Sequence, residues 1–347
     1  MTDVRRHPGA EAAILGEVPN VTGLVLWQNW RYLRDWLSAS RDARARLFPE
    51  ILAQWVVSKR ADARAEAPAL VPALAVWDEW VRSPLTMQTV RLSNACEFTA
   101  GWAVERGYTT TALLFAEAAA QLEPQDPRRA LLAGKLSRSV GQTVRAERWF
   151  NASISVARES EQWEEYIRGH LGLGILFMLM KKDARARAHF SAASTRANRH
   201  GYEWLAGEAQ HDLFQFMTVR GKYDAAELHA RTALSWYPKN NPRVPYLAAD
   251  VAYLLICRTR YSEAIELLRA FLRLIKSPPH NVLGLSMFVR ALAAAGHPRK
   301  FLRMRRRLLD VELGATPYEA AALMASGGGG EGHAALGSRG AARTLCP

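Results

Sequence analysis

Cysteine is scarce in this chain: Cys96, Cys257 and Cys346 lie far apart and form no C-x-x-C pair. That pattern argues against a disulfide framework and for a reducing cytoplasm. No H-E-x-x-H or other metal-spaced His/Cys cluster occurs. The nine histidines are scattered, with His189, His200, His211 and His229 on different expected helix faces, where a lone histidine is ordinarily a surface or satisfied residue. There is no G-x-x-x-x-G-K-[ST] loop, and the glycine run at 327–330 has neither the following lysine nor a flanking strand. A G-x-S-x-G elbow and a Cys/His pair at catalytic spacing are missing too. These absences exclude the recognisable phosphate-loop, metal and nucleophile chemistries; the expectation is a protein that is not an enzyme, with no cofactor, no metal and no implied small-molecule substrate. Long apolar runs are also lacking. The longest, about Leu171 to Met180, is too short to span a bilayer and ends at Lys181–Lys182. The opening MTDVRRHPGAEAAILGEVPN has no apolar stretch of the length a secretion signal needs. A soluble cytoplasmic chain with no membrane partner is expected, so the Asn151-Ala-Ser153 sequon, inside a predicted helix, is discounted.

What is present supports a sizeable core: 49% of the residues are apolar, and tryptophan is abundant at eleven copies. Trp27, Trp30, Trp36, Trp55, Trp77 and Trp80 cluster early and read as core. The formal net charge is +13. Residues 1–100 hold 12 basic and 11 acidic side chains, whereas 101–200 hold 15 against 10 and 201–300 hold 13 against 8. A positive surface attracts nucleic acid, acidic peptides or anionic membrane. A compositional origin stands beside that reading, because Arg outnumbers Lys and Ala is plentiful, as GC-rich coding produces.

The pattern changes along the chain. Residues 1–20 show no sustained period and read as a loose arm. From Val21 to about Ser38 a helical stripe is expected through Leu24, Trp27, Leu33 and Leu37. A second helix is predicted from Pro49 through Ile51, Leu52, Trp55 and Val56, and a third from Ala69 to Val81, closed by Pro84. Together these make a helical cap over 21–84. A repeat region then covers 85–312. After Leu313 the pattern fades into a Gly/Ala-rich tail, 313–347, that cannot bury apolar area and is expected to be disordered.

Within 85–312, Ala112, Ala146, Ala186, Ala226 and Ala264 recur at intervals of thirty-four, forty, forty and thirty-eight positions. Gly107, Gly141 and Gly221 each stand five positions before one of them, with Lys181 and Thr259 in the equivalent places. A period of this size marks a helical solenoid, in which one helix pair cannot bury its face without neighbours. The run from Gly107 to Pro124, with Ala112, Ala116 and Ala119, resembles the second helix of a tetratricopeptide repeat. Gly141, Ala146 and Phe150 repeat the scheme, preceded by Gly134; Lys181, Ala186, Phe190 and Ala193 repeat it again, preceded by Gly174. Gly221, Tyr223, Ala226, Ala230, Ala233 and Pro238 form the clearest copy, Tyr261 and Ala264 a fifth, and the stretch from Gly296 a degenerate sixth. Small residues at a helix crossing let two backbones approach, and a bulky side chain four positions on fills the next gap. The resemblance implies an all-α, right-handed α-solenoid of about six helix hairpins that binds a protein or peptide, as a bacterial adaptor or the sensing part of a regulatory system. Most of the intervals exceed the usual tetratricopeptide period, which implies lengthened helices.

In tetratricopeptide arrays the binding groove is lined by the first helix of each repeat, about three, six, ten and thirteen positions ahead of the turn. Carried over to this chain, those positions are Arg138, Lys135, Leu131 and Arg128; then Met178, Ile175, Leu171 and Arg168; then Thr218, Gln215, His211 and Glu208; then Ile256, Tyr253, Ala249 and Tyr246. An acidic side chain or free C-terminal carboxylate held by Arg128, Lys135 or Arg138 would suit the basic end. The run Arg299, Lys300, Arg303, Arg305, Arg306, Arg307 offers an alternative partner. Arg299, Arg303, Arg306 and Arg307 share a helix face that could contact the phosphates of a nucleic acid, although cations are also favoured near a helix C-terminus.

Overall fold

The computed structural model describes residues 9–44, 46–47, 59–238, 240–275 and 280–312; for residues 41, 280–282 and 307–312 it describes the backbone only. The helix predicted from Pro49 and the tail over 313–347 lie outside the described residues, as do Trp55 and the first eight residues of the expected arm. Every regular element among the described residues is helical. In chain order the helices are α1 (Ala10–Glu17), α2 (Asn20–Ser38), α3 (Arg41–Arg44), α4 (Val71–Arg82), α5 (Thr89–Glu105), α6 (Thr109–Leu122), α7 (Pro127–Ser139) and α8 (Thr143–Glu159). They continue as α9 (Trp163–Leu179), α10 (Asp183–Arg199), α11 (Glu203–Val219), α12 (Tyr223–Trp236), α13 (Val244–Cys257), α14 (Tyr261–Leu274), α15 (His280–Ala294) and α16 (Pro298–Glu312). Residues 59–66 are helical as well, and Pro68–Leu70 form a single 3-10 turn. Within each unit most consecutive helices pack against one another, in keeping with the all-α solenoid architecture that the repeat predicts. Two compact units make up the chain, Met1–Glu165 and Tyr166–Pro347.

The first unit is organised around α6, which is buried nearly all round from Thr111 to Ala120. A helix apolar on every side needs neighbours on every side, and α1, α2, α5 and α7 supply them. Residues 10–17, expected as part of a loose arm, are therefore a packed helix. Ile14 is fully buried, and the carboxylate of Glu17 caps α6: its oxygens accept the backbone N–H of Thr110 at 2.9 Å and of Thr111 at 2.7 Å. Those two donors belong to the first turn of α6 and have no partner within their own helix. Glu66 does the same for α2, accepting the Thr22 N–H at 2.9 Å and its hydroxyl at 2.8 Å. The buried stripe of α2 is Val25, Leu26, Asn29, Trp30, Leu33 and Trp36, whereas Leu24, Trp27 and Leu37 of the expected stripe are half-buried. The true stripe contains a polar residue, Asn29, which an apolar count passes over. Asn29 and Asp78 together hold the guanidinium of Arg60, buried without any exposure, with Arg60 to Asp78 at 2.8 Å. Trp77 packs edge-on against Trp80 at 5.6 Å and against Phe115 at 6.2 Å; with the buried Trp30 and Trp36 they are core, as expected, whereas Trp27 is half-buried.

From Gly141 onward a repeating turn sets the spacing. Gly141, Glu161, Lys181, Gly201 and Gly221 follow one another at a constant interval of twenty positions, and all five have positive φ, between 56° and 78°. At each, the next residue's N–H bonds back to a carbonyl five positions earlier: Gln142 to Ser137, Gln162 to Ala157, Lys182 to Phe177, Tyr202 to Ala197 and Lys222 to Met217, at 2.8–2.9 Å. This is the Schellman closure, which satisfies the last carbonyls of one helix while a left-handed residue redirects the chain. Each interval thus holds one helix of 17 residues followed by a short turn of the same form, and two intervals make one hairpin. Thr259 and Gly296 occupy the same conformation farther on, with φ 59° and 73°.

The helix crossings explain the paired residue choices. A Cβ added to Gly134 would lie 2.8 Å from the Phe150 ring, and one added to Gly174 would lie 2.4 Å from the Phe190 ring. In the next hairpin the sizes reverse: Phe214 comes from the first helix and Ala230 from the second, both in one buried cluster.

Candidate functional site

The counted positions fall on the first helices, and in each unit a side-chain link joins two of those helices. In the first unit the link runs between α5 and α7, and its centre is Arg129 rather than Arg128. Arg129 is almost fully buried and donates to Glu97 at 2.8 Å and Asn94 at 2.7 Å. Asn94 and Glu97 stand thirteen and ten positions ahead of Gly107, the same count in the first copy, which also contains Gly101 and Val104. Arg128 is exposed, and its guanidinium folds back onto Asp126, whose carboxylate also accepts the Arg128 N–H at 3.0 Å to cap α7. Lys135 is exposed, and the half-buried Arg138 guanidinium sits 5.8 Å from the centre of the Phe150 ring. On α5, Phe98 and Val104 stay 44% and 47% exposed on the strip that includes Asn94, Glu97 and Gly101. That strip was legible by extending the count to Gly107.

In the second unit the link runs between α11 and α13. His211 Nε2 lies 2.8 Å from Asp250 Oδ2, and Gln215 Nε2 donates to the same oxygen at 2.7 Å. The Tyr237 hydroxyl, just past α12, is 3.3 Å from His211 Nδ1. An imidazole that gives Nε2–H to Asp250 has Nδ1 free to accept the tyrosine proton. Burial, followed by the carboxylates of Glu208, Asp212 and Asp250, pushes the Tyr237 phenol up, so it remains a donor. Gly207 lets this ring come close, since a Cβ there would be 2.7 Å from it. His211 and Gln215 were expected on the groove; Asp250 and Tyr237, which hold them, were not. Asp250 stands nine positions ahead of Thr259, one off the counted ten, and Tyr237 belongs to a second helix.

The remaining expected positions are engaged in contacts of their own. Glu208 pairs with Arg243 at 2.9 Å, and Tyr246 meets the Phe271 ring edge-on at 6.1 Å. The Arg168 guanidinium lies 4.6 Å from the Trp204 ring centre. Tyr253 is half-buried, and burial pushes its phenol up while Arg290 opposes the shift. The arginine stripe of α16 is exposed at Arg299, Arg303 and Arg306; the Arg307 side chain lies outside the described residues. Among the described residues no group of three or more His, Cys, Asp or Glu side chains could hold a metal, and no helix is long and apolar enough to cross a membrane.

One further histidine arrangement escaped the sequence reading. His170 and His189, on α9 and α10, face each other with their Nδ1 atoms 3.0 Å apart. Burial, then His189 and Arg196, push the His170 imidazole down to about 4. Across this contact one ring nitrogen donates and the other accepts, the roles depending on the tautomers.

No protein-family model matches the sequence, and no curated protein matches it. Solved structures do. The chain is similar to a Rap protein crystallised with Competence and Sporulation Factor, with a TM-score of 0.52 at 11% identity over 88% of this chain and 90% of that one. BtubC (BKLC) from P. vanneervenii matches with a TM-score of 0.49 at 15% identity, over 64% of this chain and 94% of that one. The RpL4 assembly chaperone Acl4 matches with a TM-score of 0.36 at 17% identity, over 77% and 93%. At such identity the likeness to the Rap protein is one of fold: this chain has a helical-repeat architecture of that kind.

Proposed function

We propose that this chain is a non-catalytic protein- or peptide-binding scaffold of tetratricopeptide type, a bacterial cytoplasmic adaptor or the sensing part of a regulatory system. The observation that supports it is the way first helices are joined. Arg129 ties α7 to α5, while His211 and Gln215 tie α11 to Asp250 of α13, so in each unit the counted positions lie along a continuous rigid face. In the first unit that face offers exposed Phe98 and Val104 on α5 and the cations Arg128, Lys135 and Arg138 on α7. Apolar surface beside cations suits a peptide with one or two large apolar side chains and an acidic side chain or C-terminal carboxylate. The Rap protein similar in fold was crystallised with a bound factor, which agrees with this use of such a scaffold.

The test is selection from a display library of short peptides with free C-termini, followed by titration of the selected sequences. Acidic, apolar-rich sequences are expected, with at least tenfold weaker binding to the Lys135→Glu/Arg138→Glu variant and little dependence on salt. Peptides that bind this variant as tightly as the parent chain would remove the groove assignment.

A further inference from the structure

The positive charge of this protein is concentrated in one place. Between residues 267 and 309 there are ten Lys and Arg side chains and no Asp or Glu, against a net charge of +13 for the whole chain. Farther up the second unit, cations are matched by carboxylates: Arg220 with Asp183, Arg258 with Asp224 and Glu227, Arg260 with Glu263, Arg269 with Glu266. Among the described side chains of α16 the matching stops. Arg299, Lys300, Arg303, Arg305 and Arg306 are exposed, and among the described residues none of them has a carboxylate partner. Alignment with a helix C-terminus favours cations only in the last turn, whereas this run begins in the first turn of α16, the end where the helix dipole opposes positive charge. Arginine itself is spread along the chain; what sets 267–309 apart is the absence of the carboxylates that accompany it elsewhere.

We propose that the exposed face of α16 binds the sugar–phosphate backbone of a nucleic-acid duplex without reading its bases. Three observations select that partner. Arg299, Arg303 and Arg306 share one face, and at about 1.5 Å rise per residue they are about 6 Å and about 4.5 Å apart along the axis, a row that can follow consecutive phosphates. Four of the five exposed cations are arginines, whose planar fork bonds phosphate oxygens in pairs. The face has no aromatic residue on which an unpaired base could stack, which disfavours a single strand. A lipid surface fits poorly, because the apolar side chains Phe301 and Met304 are packed on the core formed with α13, α14 and α15, leaving Leu302 as the one exposed apolar side chain of α16 among the described residues. This surface is distinct from the peptide face of the first unit and does not depend on it.

The experiment is fluorescence anisotropy of a labelled 20-base-pair DNA duplex of mixed sequence with the full chain, repeated between about 50 and 300 mM salt. Three to four phosphate contacts predict that log K falls with log salt at a slope of about −3. The Arg299→Glu/Arg303→Glu/Arg306→Glu variant, with helicity checked by circular dichroism, is expected to bind about a hundredfold more weakly at about 0.1 M salt and to lose most of that slope. Lys135→Glu/Arg138→Glu is expected to bind the duplex as the parent does. Equal binding by the α16 variant, or stronger retention on anionic vesicles or polyglutamate than on the duplex at matched charge, would overturn the proposal. An RNA duplex binding as well as DNA would support the backbone reading, and a single strand binding more tightly than either would refute it.

Discussion

Near the N-terminus the helices are tied by residues far apart in sequence: Glu17 to Thr110 and Thr111, Glu66 to Thr22, and Arg60 to Asn29 and Asp78. Between Gly141 and Gly221 the work is done locally. A turn of fixed geometry recurs at a constant interval, and a glycine on one helix accepts the ring of its partner. The first arrangement is a small conventional core, in which each tie depends on several elements being in place. The second is a chain of near-independent hairpins that lean on their nearest neighbours. Damage should therefore spread in the first region and stay confined in the second.

The sharpest way to break the first region is Asp78→Ala. It leaves the fully buried Arg60 without its carboxylate, and removing one partner of a buried pair costs about 3–5 kcal/mol. Thermal unfolding of the variant is expected at a markedly lower temperature, with residues 10–122 losing amide-exchange protection together.

Acid comes next, and it acts on the second unit. The folded pKa of His170 lies near 4, below the ordinary value of 6.5, so between these limits the unfolded chain binds the extra proton. Stability is then lost as pH falls from about 6.5 towards 4, by a few kcal/mol at most. Urea midpoints measured from pH 7 to pH 4.5 should fall, and His170→Gln should flatten that part of the profile; an unchanged slope in the variant would mean that other groups carry the effect.

A methyl group at the crossing is a smaller perturbation. Gly174→Ala places a Cβ about where the Phe190 ring now lies, and overpacking of this kind costs about 1–3 kcal/mol. Adding Phe190→Leu should return part of the loss. A double-mutant cycle by chemical unfolding would reveal the coupling, and strict additivity would show that the two residues do not meet as described.

The gentlest change should stabilise. Lys181 holds the left-handed turn at φ 58°, where a side chain is strained, so Lys181→Gly is expected to gain about 0.5–1 kcal/mol. Gly141→Ala at the equivalent turn should lose a similar amount, read from the same chemical unfolding curves.

The two regions also differed in how much could be read in advance. The turns at Gly107, Gly141, Lys181, Gly221 and Thr259 were found by counting back from alanines, since small residues at a crossing leave a strong sequence trace. Gly201 and Ala206 have the same spacing but fall midway between Ala186 and Ala226, so the longer alanine interval does not mark them; Glu161 has no small residue five positions on. The packed helix at 10–17 was not foreseen, because its reason for existing is Glu17 capping a helix far along the chain, and a single window of sequence contains no sign of such a partner. For the candidate site, the count ahead of each turn located His211, Gln215 and the α7 cations. It missed Asp250 and Arg129, which project sideways to the next first helix and so stand one position off the groove register.

The uniform turn has a consequence for how such a protein can change length. Because every step from Gly141 to Gly221 covers the same stretch of chain and ends in the same backbone closure, a duplicated or deleted stretch would rejoin without a new loop. Parity restricts which stretches succeed. Loss of one helix would exchange first and second helices for all that follow and misplace their buried rings, whereas loss of two leaves every later residue in its own register. Growth and shortening of this array are thus expected in steps of one whole hairpin, with the row of first helices lengthened or trimmed and the remaining contacts untouched.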